Sequence, residues 1–110
     1  MAERKWVDER HFPSRRKGDG EIRREIWIDE DSGAVTRYNL AYINPELFQA
    51  DNGRVLGYDN RHGVHHRHYL GISRTIRLKT FESIEAAFER NFARILRVLR
   101  RKRARRKGKT

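Results

Sequence analysis

From Phe81 onward, apolar side chains fall at positions 81, 84, 88, 92, 95 and 99. Spacings of three and four place all six on one stripe of an α-helix. Such a stripe must be covered, so a helix here requires a partner layer built from the preceding chain. Thr80 stands where an N-cap belongs. Glu82, Glu85 and Glu89 come early and the arginines late, which suits the helix dipole. Arg90, Arg94, Arg97 and Arg101 lie at i, i+4, i+7 and i+11. At 100° per residue they form a second stripe, nearly opposite the apolar one.

The partner layer reads as β-structure. In EIRREIWID, residues 21–29, Ile22, Ile26 and Ile28 share one side at period two. A turn at Asp31-Ser32-Gly33 leads into AVTRYNLAYI, residues 34–43, the second strand of a hairpin. Asn44-Pro45 ends that strand, because proline cannot donate to the ladder. One helical turn is expected over ELFQA, 46–50, then a turn at Asp51-Asn52-Gly53 and a third strand, RVLGYD, at 54–59. HHRHYL, 65–70, reads as extended, with a break at Gly71. ISRTIRLK, 72–79, alternates again, with Ile72, Ile76 and Leu78 on one face. Residues 1–20 read as a partly ordered arm, with Trp6 and Phe12 docking on the body. The expected fold is α+β: an antiparallel meander of about four to five strands packed on one long C-terminal amphipathic helix. Residues 21–100 form the single domain and 101–110 a basic tail.

Composition narrows the chemistry. There is no cysteine among the 110 residues. That excludes disulfides, a thiolate nucleophile and Cys-ligated zinc, and suits a reducing, cytosolic compartment. The longest apolar run is Leu40–Ile43, and MAERKWVDER is not of signal-peptide type, so no membrane partner is expected. The net charge is +11, and nine of the 26 basic residues fall in positions 97–110, where there is no acid. The other 17 face 15 acidic residues in positions 1–96. The C-terminal segment therefore carries most of the charge and is built to meet a polyanion.

Four of the five histidines, His62, His65, His66 and His68, lie in YDNRHGVHHRHY, residues 58–69. On a strand, His66 and His68 point to one face, and His65 and Arg67 to the other. Three readings fit. His62, His66 and His68 could ligate a metal, with Asp59 beside them. The segment could instead cleave RNA without metal, since imidazoles suit the base and acid roles. Arg61 or Arg67 would then hold the phosphate, and Tyr58 and Tyr69 would add hydroxyls or stack on bases. In the third reading the segment is a hairpin whose imidazoles bond only to backbone and water.

The run Tyr58-Asp59-Asn60, followed by a His-rich turn and His66-Arg67-His68, resembles the TumE-type toxins of small toxin–antitoxin pairs. HHRHY and the helix opening TFESIEAAF add to the likeness, which covers roughly residues 20–100. The resemblance implies a toxin neutralised by a cognate antitoxin. It brings no catalytic mechanism with it, and the arginine-rich tail lies outside the family pattern. The combined expectation is a metal-independent endoribonuclease with no cofactor. His66 and His68 are its acid–base pair, Asp59 orients an imidazole, and Arg67, Arg61 and His62 complete the site. Arg90, Arg94, Arg97, Arg101 and Arg103 grip the RNA backbone. The alternative is a non-enzymatic nucleic-acid-binding module with a structural histidine hairpin.

Overall fold

The computed structural model describes residues 2–77 and 80–108. Six strands follow one another across a single antiparallel sheet: β1 (Glu3–His11), β2 (Glu21–Asp29), β3 (Val35–Ile43), β4 (Arg54–Asp59), β5 (His66–Tyr69) and β6 (Ile72–Thr75). One helix, α1 (Phe81–Gly108), closes the fold. The chain is thus the expected meander on a C-terminal helix, with six strands rather than four to five. The additional strand is β1, drawn from residues expected to be an arm. Its high charge hid a strand that needs no buried face, because it lies at the sheet edge. Trp6 and Phe12 do not dock; they are 56% and 65% exposed.

Alternation divides the sheet into two faces. Tyr38, Leu40 and Tyr42 of β3, Leu56 and Tyr58 of β4, and Ile26 of β2 are buried on the helix side. Their register is direct: Ile26 faces Tyr38, Leu40 faces Tyr58, and Tyr42 faces Leu56. From α1, Ile84, Phe88, Ile95 and Leu99 bury against them, as the stripe predicted. Phe81 meets Tyr38, Phe88 meets Tyr58, and Phe92 meets Tyr42, all edge to face. This order sets α1 along β3, running in the same direction. Thr80 caps the helix: its Oγ1 accepts from Ser83 N at 3.1 Å.

The loop between β1 and β2 is tied down by buried polar contacts. Gly18, at φ +125°, turns its carbonyl oxygen to the Tyr42 hydroxyl at 2.6 Å. Asn44 Nδ2 donates to that hydroxyl at 2.9 Å. The Asn44 carbonyl also accepts from Phe48 N at 3.2 Å, which closes a turn at residues 45–47 in place of the helical turn expected over 46–50. At the other end of the chain, α1 continues through the expected tail to Gly108. Arg103 donates to the Arg15 carbonyl at 2.6 Å and reaches Glu46 at 3.2 Å. Residues 109–110, the end of the expected tail, lie outside the described residues.

The last strand is shorter than its alternation suggested. β6 ends at Thr75, and Ile72 is 57% exposed because α1 does not reach across to it. Ile76 packs against the core, and Leu78 lies outside the described residues. Leu70 and Gly71, with φ of 49° and 82°, form the two-residue turn between β5 and β6.

Candidate active site on the open face of the sheet

The sheet face away from α1 carries the candidate site. One cross-strand row runs Glu25, Asn39, Asp59, His66 and Thr75, each directly opposite the next. The next row runs Ala41, Gly57, His68 and Ser73. A cavity of about 640 Å³ lies over Glu25, Asn39, Asp59 and His66 of the first row and His68 and Ser73 of the second. Trp27, Arg37 and Glu25 line one side; Arg54, Asp59, Arg61, His62, His66 and His68 line the other.

Asp59 is the hub. Its Oδ2 accepts from His68 Nε2 at 2.8 Å, and its Oδ1 accepts from Arg61 N at 3.1 Å. His66 Nδ1 stands 3.8 Å from Oδ1, beyond hydrogen-bond range. The two imidazole centroids are 6.3 Å apart. The carboxylate therefore holds one imidazole through Nε2–H and leaves its Nδ1 lone pair free. The side chains are shielded but reachable, at 16% exposure for Asp59, 19% for His68 and 26% for His66.

Arg54 was not anticipated. Its guanidinium lies 4.0 Å from Asp59 and is anchored by Asp51 at 2.8 Å. It passes over Gly57, where a Cβ would stand 2.9 Å from the arginine Cδ. A glycine inside a strand is the sequence signal of such a close approach. Across the cavity, Trp27 carries Arg37 at 4.2 Å and Lys5 at 4.9 Å from its ring centroid. Glu25 accepts from Lys5 at 2.9 Å and from Asn39 at 3.1 Å. Burial acts to raise the Glu25 pKa, but these two bonds outweigh it and hold the carboxyl below its usual value.

The neighbouring polar groups are structural. Asn60 Oδ1 accepts from Tyr38 N at 3.0 Å, and its Nδ2 donates to the Thr36 carbonyl at 2.9 Å, continuing the ladder beyond β4. His65 turns to the other face, where Nδ1 meets the Tyr38 hydroxyl at 2.7 Å and the rings stack. Burial, reinforced by the Asp59 charge, raises the Tyr38 pKa and keeps that hydroxyl protonated.

The predicted site residues divide accordingly. His66, His68, Asp59, His62 and Arg61 converge on the cavity. Arg67 and Tyr69 do not: strand parity places them on the helix side of β5. Arg67 therefore cannot hold a phosphate between His66 and His68. Tyr58 is 2% exposed and bonded through its hydroxyl to Asn91, so its ring has no face to offer a base. Arg103 is engaged with Arg15 and Glu46 rather than standing free on the helix. Arg90, Arg94, Arg97 and Arg101 are exposed, as predicted. Among the described residues, no three of His, Cys, Asp and Glu converge as a metal-ligand group, so His62, His66 and His68 do not form the alternative metal site. Among them also, no helix is long and apolar enough to cross a membrane.

Comparisons with protein-family models, curated proteins and solved structures found no match to this chain. The likeness to TumE-type toxins thus rests on the residues quoted above.

Proposed function

We propose that the protein is the toxin of a toxin–antitoxin pair and acts as a metal-independent endoribonuclease. The observation that carries the reading is Asp59 holding His68 through Nε2–H while His66 stands beside it and the Arg54 guanidinium lies 4.0 Å from the same carboxylate. A carboxylate in that position fixes the orientation and tautomer of the imidazole, so His68 Nδ1 is the general base. It takes the proton of a ribose 2′-hydroxyl. The 2′-oxygen forms a bond to phosphorus, the bond from phosphorus to the 5′-oxygen breaks, and His66 protonates the leaving oxygen. The products are a 2′,3′-cyclic phosphate and a 5′-hydroxyl. Arg54 and Arg61 neutralise the non-bridging oxygens as charge builds on them. His62, in the loop at the cavity rim, is a further contact to the substrate.

The resemblance at Tyr58-Asp59-Asn60 and His65–Tyr69 supports the toxin assignment and a cognate antitoxin as partner. Excess positive charge in the helix suits capture of RNA or of an acidic antitoxin. The first test is induced expression of the wild type and of His66→Ala/His68→Ala in a bacterial host, with both proteins checked for folding. Growth arrest with RNA decay for the wild type alone is expected, together with cyclic-phosphate ends in vitro. Equal toxicity would remove the histidines from the mechanism and favour the non-enzymatic module. Absence of toxicity from both would overturn the toxin assignment.

A further inference from the structure

The arginines that fail to reach the histidine cavity come together elsewhere. Arg67 of β5 and Arg74 of β6 stand directly opposite one another on the helix side of the sheet. Opposed like charges on neighbouring strands are destabilising. Among the described residues, neither has an acid to offset it.

The helix adds to the same side. Glu85 pairs with Arg24 of β2, which fixes the flank of α1 that faces β2. Glu82 and Glu89 fall within about 60° of Glu85 round the helix. Arg90, Arg94, Arg97 and Arg101 lie about 120° to 180° away from it, on the side of α1 turned away from the sheet, and Arg94 leans toward β5. Because α1 rests on β3 and β4, the short strands β5 and β6 project beyond it as a ledge. The helix forms a wall beside that ledge. All four helix arginines are exposed, and Tyr69 on the ledge is 42% exposed. Among the described residues, none of these arginines has an ion-pair partner. By contrast, the arginines at the far end of α1 are answered by Asp19 and Glu46.

We infer that the groove between α1 and the β5–β6 ledge binds the sugar–phosphate backbone of a single-stranded polynucleotide. The inference deepens the nuclease reading and rests on it for the route to the histidines. Two facing guanidinium groups bracket a phosphodiester, and the exposed tyrosine beside them offers a stacking surface. The groove and the histidine cavity lie on opposite faces of one sheet, and β6 is its outer edge. A strand bound in the groove reaches His66 and His68 by passing round β6. A flexible single strand makes that turn within a few nucleotides. A duplex is far too stiff to bend round an edge of a molecule whose shorter dimensions are 25 and 22 Å.

The test is fluorescence anisotropy with a short 2′-O-methyl oligoribonucleotide, which lacks the nucleophile and cannot be cleaved. Arg67→Ala/Arg74→Ala should weaken binding by at least about tenfold and lower the salt slope by about 0.7, the value for the one phosphate they bracket. It should melt no lower than wild type, since it removes a repulsion. Arg90→Ala/Arg94→Ala should also bind more weakly. A duplex of equal length should compete poorly. Unchanged binding in both arginine variants would overturn the groove, and equal binding of duplex would overturn the single-strand route. Competition by polyglutamate as effective as by the oligonucleotide would reassign the groove to an acidic protein. If Arg67→Ala/Arg74→Ala loses binding but the wild type cleaves no RNA, the groove stands and the nuclease reading falls. If Arg67→Ala/Arg74→Ala cleaves limiting RNA as fast as wild type, the groove falls and the nuclease reading stands.

Discussion

Asp59 meets two demands with two oxygens. One turns the chain by accepting from Arg61 N, and the other fixes His68. Asp59→Asn keeps an acceptor for the turn but removes the carboxylate oxygen that fixes the His68 tautomer. RNA cleavage by this variant should fall by roughly 10²-fold with binding near wild type, measured by single-turnover kinetics alongside anisotropy. Glu21 and Glu25, on the same face of the sheet, govern the acid limit of stability. A hydrogen bond from Arg10 holds the Glu21 pKa down against burial, with help from Arg23. Burial opposes the shift at Glu25, and bonds from Lys5 and Asn39 overcome it. A carboxyl whose folded-state pKa is depressed stabilises the fold above its unfolded value and loses that contribution as pH falls through the folded one. Thermal stability should therefore hold from neutral pH down to about 5 and decline below about 4.3. Glu25→Gln should be less stable at neutral pH, with a shallower acid decline, in melts across that range.

At the scale of the element, β5 and β6 are a short hairpin whose two-residue turn places Leu70 at φ +49°. A leucine in that region is strained, whereas asparagine before glycine suits the turn. Leu70→Asn should raise stability by about 0.5–1 kcal/mol in urea unfolding, because it relieves the backbone without touching either face of the site. The helix shows how pattern becomes packing. Its six apolar positions point at the sheet, and Ile84 and Leu99 are 0% and 2% exposed. Since Leu99 is buried, the segment beyond residue 97 is an integral part of the fold. Removal of residues 97–110 deletes Leu99 and the contacts of Arg100 and Arg103 to the β1–β2 loop. That truncation should cost at least about 2–4 kcal/mol in denaturant unfolding, by analogy with loss of a buried leucine. Any loss of RNA affinity it causes must be separated from unfolding. Charge-only substitutions at Arg97 and Arg101 avoid the difficulty.

Across the whole molecule, the sheet has two unlike faces: polar and histidine-bearing on one side, apolar and covered by an arginine-rich helix on the other. Strand alternation, the turn at Gly33, the break at Gly71, the capped helix and its apolar stripe were all legible, because each depends on local periodicity and local backbone preference. So was the common face of His66 and His68, which follows from strand parity alone. β1 was not legible, since an edge strand with a charged surface leaves no buried period to read. Arg54 was hidden because its place over Gly57 depends on how β4 and its preceding turn fold together. Tyr58 and Tyr69 look equivalent in the sequence, yet one is core and the other exposed, because α1 covers β4 and stops short of β5. By itself, the sequence determined the order of elements, the helix and its two stripes, and the facing of the histidines, all set by interactions within a few residues. Only the tertiary structure decided which carboxylate holds which imidazole and which arginines share a surface. Those pairings join residues distant in the chain, and register and helix placement bring them within reach.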